Sequence, residues 1–232
     1  MPPRNLFLSI ALGALATLAH PFAFAAKAAA AAAASLRRSA RPELDTGRWT
    51  LELLKRLEWR RFEELCGAYF ESLGFRAEAS RTGADATLGV LLYAQGAEKA
   101  SILVHCKAWN AGVVGIQPLR ALRAAMSAGV LGEGVFATSG RFTQEAREFA
   151  GKEKIDLIDG PGLLAKIGEL PPAHAAALLE FATEGEYFIP TCPACDIKMT
   201  SQQSTGEGRK YWGCPNYPRC KQTYFSVANA PG

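Results

Sequence analysis

Cys192, Cys195, Cys214 and Cys220 constrain the fold of this chain more than any other residues. They stand as Cys-Pro-Ala-Cys, eighteen further residues, Cys, five residues and Cys. The first pair closes a tight knuckle that turns both thiolates toward one point. The second pair completes a tetrahedron, the geometry of a structural zinc site. A disulfide framework is the competing reading of four cysteines. The segment is about forty residues long, too short to fold on a hydrophobic core of its own. Thiolates kept as ligands need a reducing compartment, which points to the cytosol. The other two cysteines, Cys66 and Cys106, lie in apolar runs and read as buried thiols.

The residues around the second cysteine pair are basic and aromatic. From Phe188 to Phe225 there are five Lys or Arg against two acidic residues. Arg209, Lys210, Tyr211, Tyr217, Arg219 and Lys221 are interleaved there. Cations neutralise phosphates, and aromatic faces stack on unpaired bases at roughly 1–3 kcal/mol per base. A nucleic acid with unpaired bases is the partner this pattern suits. Some aromatics must instead pack on the knuckles, and Trp212 and Phe225 are the expected packing residues.

A chain of 232 residues holds one medium domain with accessories. With 49% hydrophobic and 21% charged residues most of it should fold, and a net charge of +4 permits a polyanionic partner without requiring one. Leu6–Ala26 is a run of 21 residues without an acidic or basic side chain other than His20. It suits a membrane-spanning helix, and the later Arg37, Arg38 and Arg41 would keep the rest of the chain on the cytoplasmic face of the inner membrane. A signal peptide ending at Ala23-Phe24-Ala25 and a mis-assigned translation start are the other two readings.

Regular patterning begins at Trp49. Trp49, Leu51, Leu53, Leu54 and Leu57 recur at helical spacing, as do Phe62, Leu65, Cys66, Tyr69, Phe70 and Leu73, with Gly74 as the stop. Strand-like runs come next at 75–79, 87–93 and 101–106, then a helix over 116–128, a strand over 134–138, a helix over 143–151, a strand over 155–158 and a short helix over 162–167. The order αβββαβαβα predicts an α/β fold, a mixed sheet flanked by helices. A further amphipathic helix over 171–183 reads as a spacer. The expected organisation is a hydrophobic N-terminal segment and linker over 1–47, a domain over 48–168, a helical linker over 169–187 and a four-cysteine zinc ribbon over 188–227.

The region from Trp49 to Ile167 resembles the Mrr-type restriction endonuclease family of the PD-(D/E)xK nuclease fold. The residues that carry the likeness are Phe62-Glu63-Glu64-Leu65, Arg81-Thr82-Gly83-Ala84-Asp85, and Leu103-Val104-His105-Cys106-Lys107-Ala108-Trp109. Val114-Gly115, Ala137-Thr138-Ser139-Gly140-Arg141-Phe142-Thr143 and Leu157-Ile158-Asp159-Gly160 continue in the family's order. The cysteine module is similar to the C-terminal zinc ribbons of bacterial type I topoisomerases, on CPxC, aromatic-Gly-Cys and Asn-Tyr-Pro-x-Cys-Lys. The first resemblance implies a restriction-endonuclease-like fold that hydrolyses DNA phosphodiesters with Mg²⁺ or Mn²⁺, and the second implies DNA binding.

By the first resemblance, Lys107 matches the lysine of the third strand, Glu63 a helix glutamate of the metal shell, and Arg141 a candidate phosphate contact. His105 stands where a Glu or Gln is usual. The chain departs from the pattern at the second strand, where Gly89 falls on the metal-binding aspartate and Asp85 matches an earlier loop aspartate. Imidazole is a poor ligand for Mg²⁺, which prefers oxygen. Two functions therefore stand at this point: a DNA endonuclease with an altered metal site, and a nuclease-fold protein that only binds DNA.

Overall fold

In the computed structural model, residues 46–81, 88–108, 112–204 and 210–225 are described. The chain enters through a short helix, α1 (Leu51–Arg56), capped by Thr50, whose hydroxyl accepts from the Leu53 amide at 3.1 Å. Six residues do not hold a helix in water alone. Burial holds this one: Leu53, Leu54 and Leu57 are fully enclosed, each contributing about 2 kcal/mol. Helix α2 (Trp59–Ser72) comes next and stops where Gly74 takes φ +92°, a conformation that costs glycine little.

Strands β1 (Arg76–Arg81), β2 (Leu88–Tyr93) and β3 (Ile102–Lys107) form an antiparallel meander. Two parallel strands extend it, β5 (Glu133–Thr138) beside β3 and β7 (Ile155–Ile158) beside β5. Between them run β4 (Val113–Val114), α3 (Ile116–Ala128), β6 (Arg141–Phe142) and α4 (Gln144–Lys152). Helices α5 (Gly160–Gly168) and α6 (Pro172–Thr183) close the domain. The five-stranded sheet has the order β1-β2-β3-β5-β7, and β4 and β6 pair in a small parallel sheet beside it. The α/β mixed sheet expected from the patterning is the observed architecture. The β4–β6 pair escapes a sequence reading because two-residue strands carry no periodicity.

Side chains alternate along a strand, and the alternation divides the sheet into two buried faces. Leu91, Leu103, Phe136 and Leu157 join Leu119, Leu122 and Met126 of α3 and Ala146 and Ala150 of α4 in one core. Val90, Val104 and Val135, also buried, belong to the other face, where α2 packs on β1, β2 and β3. Covering both faces explains why β3 and β5 read as almost unbroken apolar runs.

Helix α6 lies against α2 and does not stand clear as a spacer. Trp49 donates its indole N–H to the Ala175 carbonyl at 3.0 Å, Arg61 donates to the carbonyls of Phe181 and Glu184, and Leu178 and Ala182 are buried. Beyond it, β8 (Thr200–Gln203), β9 (Lys210–Gly213) and β10 (Thr223–Tyr224) form an antiparallel sheet of order β10-β9-β8. Its small core is Cys192, Met199, Trp212 and Cys214. Residues 44–232 form one compact unit. Among the described residues no helix is long and apolar enough to cross a membrane. The 6–26 segment lies outside the described residues.

Candidate nucleic-acid interface and metal centre

The end of β3 is fixed from β5 by hydroxyl groups. Thr138 Oγ1 donates to the Lys107 carbonyl at 2.7 Å and accepts from the Gly140 amide at 3.1 Å, and Ser139 Oγ donates to the Ala108 carbonyl at 2.9 Å. Both hydroxyl residues are buried. The Thr138-Ser139-Gly140 run is thus a clamp on the strand that carries Lys107. Behind it, Thr143 caps α4 by accepting from Ala146 N at 3.1 Å, and Asp159 caps α5 by accepting from Gly162 N at 2.9 Å. Arg147 pairs with Asp159 at 3.1 Å.

His105 and Lys107 project from the same face of β3, the face packed by α3 and α4. The His105 ring is 5.1 Å from that of Phe136. Burial is the larger cause, and the Lys107 ammonium the smaller, of its pKa falling from 6.5 to about 4. The imidazole is therefore neutral at physiological pH. In the β2–β3 register Gly89 stands directly opposite His105, so a side chain at 89 would rise on this same face. Its Cβ would come 3.0 Å from the Val104 carbonyl oxygen and 3.1 Å from Leu103 Cδ1. Here β2 and β3 offer an imidazole and an ammonium and no carboxylate. That donor set does not fit Mg²⁺, a hard cation held by oxygen.

Glu63 lies elsewhere. It is buried on α2, and its charge acts on Cys106, the residue between His105 and Lys107 whose side chain points to the opposite face. Helix α2, which carries Glu63, packs on the face of β3 opposite to the one that presents His105 and Lys107. Burial, opposed in part by Arg60, raises the Glu63 carboxyl from 4.5 to about 7. Cys66 and Cys106 are free thiols, and contact with Cys66 together with burial holds the Cys106 thiol well above its ordinary range. Asp85 and Trp109 lie outside the described residues. Arg141, on β6 beside Val113, is exposed.

The four distal cysteines do converge. Their sulfurs all lie within 4.8 Å of one another, and Cys192 Sγ is 3.7 Å from Cys220 Sγ. A zinc ion with Zn–S bonds of about 2.3 Å sets its tetrahedral sulfurs about 3.8 Å apart. The donor chemistry and spacing fit zinc. Two turns build the site: Cys192 N donates to Ile197 O and Asp196 N to Cys192 O in the first, Tyr217 N to Cys214 O and Cys220 N to Asn216 O in the second. Among the described residues no other cluster of three or more His, Cys, Asp or Glu meets in this way.

The second turn presents a continuous exposed strip, Pro215 to Arg219 and Lys221 to Thr223. Tyr217 is 71% exposed and Phe225 is 56% exposed. Phe225 is thus on the surface rather than in the small core, 5.7 Å from the ring of Tyr211, whose hydroxyl donates to Gln202 Oε1 at 2.8 Å. Trp212 is the aromatic that packs. Lys210 is half-buried on β9, and Arg209 lies outside the described residues.

No sequence signal announces how the first turn meets α2. Glu58, only 1% exposed, caps α2 through Arg60 N at 3.0 Å and accepts from Thr191 N at 3.2 Å, Thr191 Oγ1 at 3.0 Å and Lys198 Nζ at 3.2 Å. Trp59 donates its indole N–H to the Thr191 carbonyl at 2.7 Å, and Arg60 pairs with Asp196. Glu58 and Thr191 are 133 residues apart in sequence, beyond the reach of any local pattern.

Residues 54–167 match a family model described as a restriction endonuclease, the catalytic domain of the Mrr type. Among solved structures the chain is similar to the DNA modification-dependent restriction endonuclease AspBHI, at 16% identity and a TM-score of 0.42, over 61% of this chain and 42% of that one. It is also similar to the MspJI restriction endonuclease in complex with a 27-mer oligonucleotide, at 18% identity and a TM-score of 0.29, over 58% of this chain and 34% of that one. The chain spans less than half the length of either. No curated protein matches it.

Proposed function

From a domain over residues 54–167 that belongs to the Mrr-type restriction endonuclease family, we propose that this chain is a DNA-binding protein. It grips the phosphate backbone at the nuclease-fold domain, through Lys107 of β3 and the exposed Arg141 of β6, and at the exposed strip of the cysteine module. One observation carries the reading against Mg²⁺-dependent cleavage. Gly89 faces His105 across β2 and β3, and neither strand supplies a carboxylate there. Among the described residues, β2 and β3 leave on that face the Lys107 ammonium, suited to a phosphate, and no carboxylate to hold a hard metal.

At the cysteine module, zinc would be held by Cys192, Cys195, Cys214 and Cys220, and its chemistry there is structural. Tyr217 offers a stacking face, and Arg219 and Lys221 offer charge to a backbone, single-stranded DNA being the preferred ligand.

The second reading is metal-dependent DNA hydrolysis, and the neutral imidazole of His105 favours it. An unprotonated imidazole two residues from a lysine is a ligand for softer divalent ions. Incubating purified protein and plasmid with Mg²⁺, Mn²⁺, Ni²⁺ or Zn²⁺ separates the two. The binding reading expects intact plasmid in every case and DNA affinity weakened severalfold by Lys107→Ala. Cleavage that Lys107→Ala abolishes overturns it.

A further inference from the structure

We propose that the support for the cysteine metal site is built by α2 of the nuclease-fold domain, with Glu58 as its central positioning residue. The inference rests on the zinc reading of the four cysteines and extends it, because it assigns a role to residues far from the ligands in sequence. Metal ligands keep their geometry only when the backbone around them is held, and loss of such outer support typically costs 10–100-fold in affinity.

The first turn of the module is held at both ends. On its N-terminal side, Thr191 immediately precedes Cys192, and three of its groups are bound: its amide and hydroxyl by the Glu58 carboxylate, and its carbonyl by Trp59 Nε1. On its far side, Asp196 immediately follows Cys195 and pairs with Arg60. Lys198 completes the arrangement, donating to Glu58 at 3.2 Å and to the Ile189 carbonyl at 2.9 Å. The Glu58 amide also donates to the Tyr187 carbonyl at 2.9 Å.

Three consecutive residues of one helix start, Glu58, Trp59 and Arg60, therefore bracket the Cys192–Cys195 turn. A module of this size has almost no core to hold that turn by itself. A carboxylate with 1% exposure is costly to bury unless its lone pairs are used, and here they serve the cap of α2 and the turn together. Zinc binding and the order of the α2 N-terminus are then coupled, and the coupling acts equally in both directions.

The test uses the full chain and zinc alone. Zinc affinity is measured by competition with a chromophoric chelator for wild type, Glu58→Ala, Glu58→Gln and Trp59→Phe. Amide exchange at Arg60 to Phe62 is monitored with and without zinc. Weakening of about 10-fold or more for Glu58→Ala, with less for Glu58→Gln and a severalfold loss for Trp59→Phe, is the expected order. Faster exchange at Arg60 to Phe62 after zinc removal is the expected reciprocal effect, which a cap serving only α2 would not show. Trp59→Phe leaves the helix cap intact, so it decides the case if Glu58→Ala does not fold. Affinities within twofold of wild type for the variants that fold, or exchange indifferent to zinc, overturn the inference. A wild-type chain that binds no zinc overturns the zinc reading itself, a different result from zinc bound equally by all variants.

Discussion

Glu63 and His105 carry opposite consequences of burial. The folded chain holds the Glu63 carboxyl near 7 against an ordinary 4.5. Between those values the native state keeps a proton that the unfolded chain releases, so stability is lost as pH rises from 4.5 to 7. Glu63→Gln removes this loss and is expected to raise stability at pH 8 by up to about 3 kcal/mol relative to its effect at pH 4.5. Urea denaturation at the two pH values checks it, and an equal difference at both would refute it. His105 runs the other way: its pKa near 4 against 6.5 means that stability is lost as pH falls from 6.5 toward 4. Lys107, His105 and Gly89 are legible as a set because period-two alternation places residues 105 and 107 on one face. The missing carboxylate is legible too. That Glu63 faces Cys106 instead is not, since helix phase relative to a sheet is decided by packing.

Among the elements, the start of α5 depends on close backbone approach. A Cβ at Gly160 would lie 2.6 Å from the Ser139 carbonyl oxygen and 2.6 Å from Leu51 Cδ1, and Gly160 N donates to the Gly140 carbonyl at 3.1 Å. Backbone cannot yield as a flexible side chain would. Gly160→Ala is expected to cost roughly 2–3 kcal/mol by overpacking, measured as a shift in the denaturation midpoint, and a cost under about 0.5 kcal/mol would show that the strand ends can part. From sequence the Asp159-Gly160 pair reads as the end of a strand before a helix over 162–167, whereas Asp159 caps α5 directly, and the packing of Gly160 on the Ser139 loop has no local signal. Helix α6 teaches the same lesson. Its polar and apolar residues allow a free spacer, and it is burial of Leu178 and Ala182 together with the groups offered by Trp49 and Arg61 that holds it on the domain.

For the molecule as a whole, the cysteine module and the nuclease-fold domain share Glu58, so the two surfaces proposed to meet DNA sit on one scaffold. Electrostatic binding then adds across both, and each neutralised phosphate steepens the salt dependence by about 0.7 on single strands. Arg219→Ala with Lys221→Ala is expected to lower the slope of log affinity against log salt by about 1.4, read by titrating single-stranded oligonucleotide at several salt concentrations. An unchanged slope would remove the exposed strip from the interface.

The order of the longer helices and strands of the domain, its likeness to the Mrr-type family over residues 54–167 and the four cysteines that converge can be read along the chain. Each is written in local periodicity or spacing, and local patterns survive without knowledge of partners. Folding in three dimensions settled the rest: which face of β3 meets which helix, that Phe225 stays outside while Trp212 packs, and that the start of α2 braces the first cysteine turn. Those are contacts between residues distant in the chain. Their partners are chosen by shape, by burial and by the need of buried polar groups for hydrogen bonds.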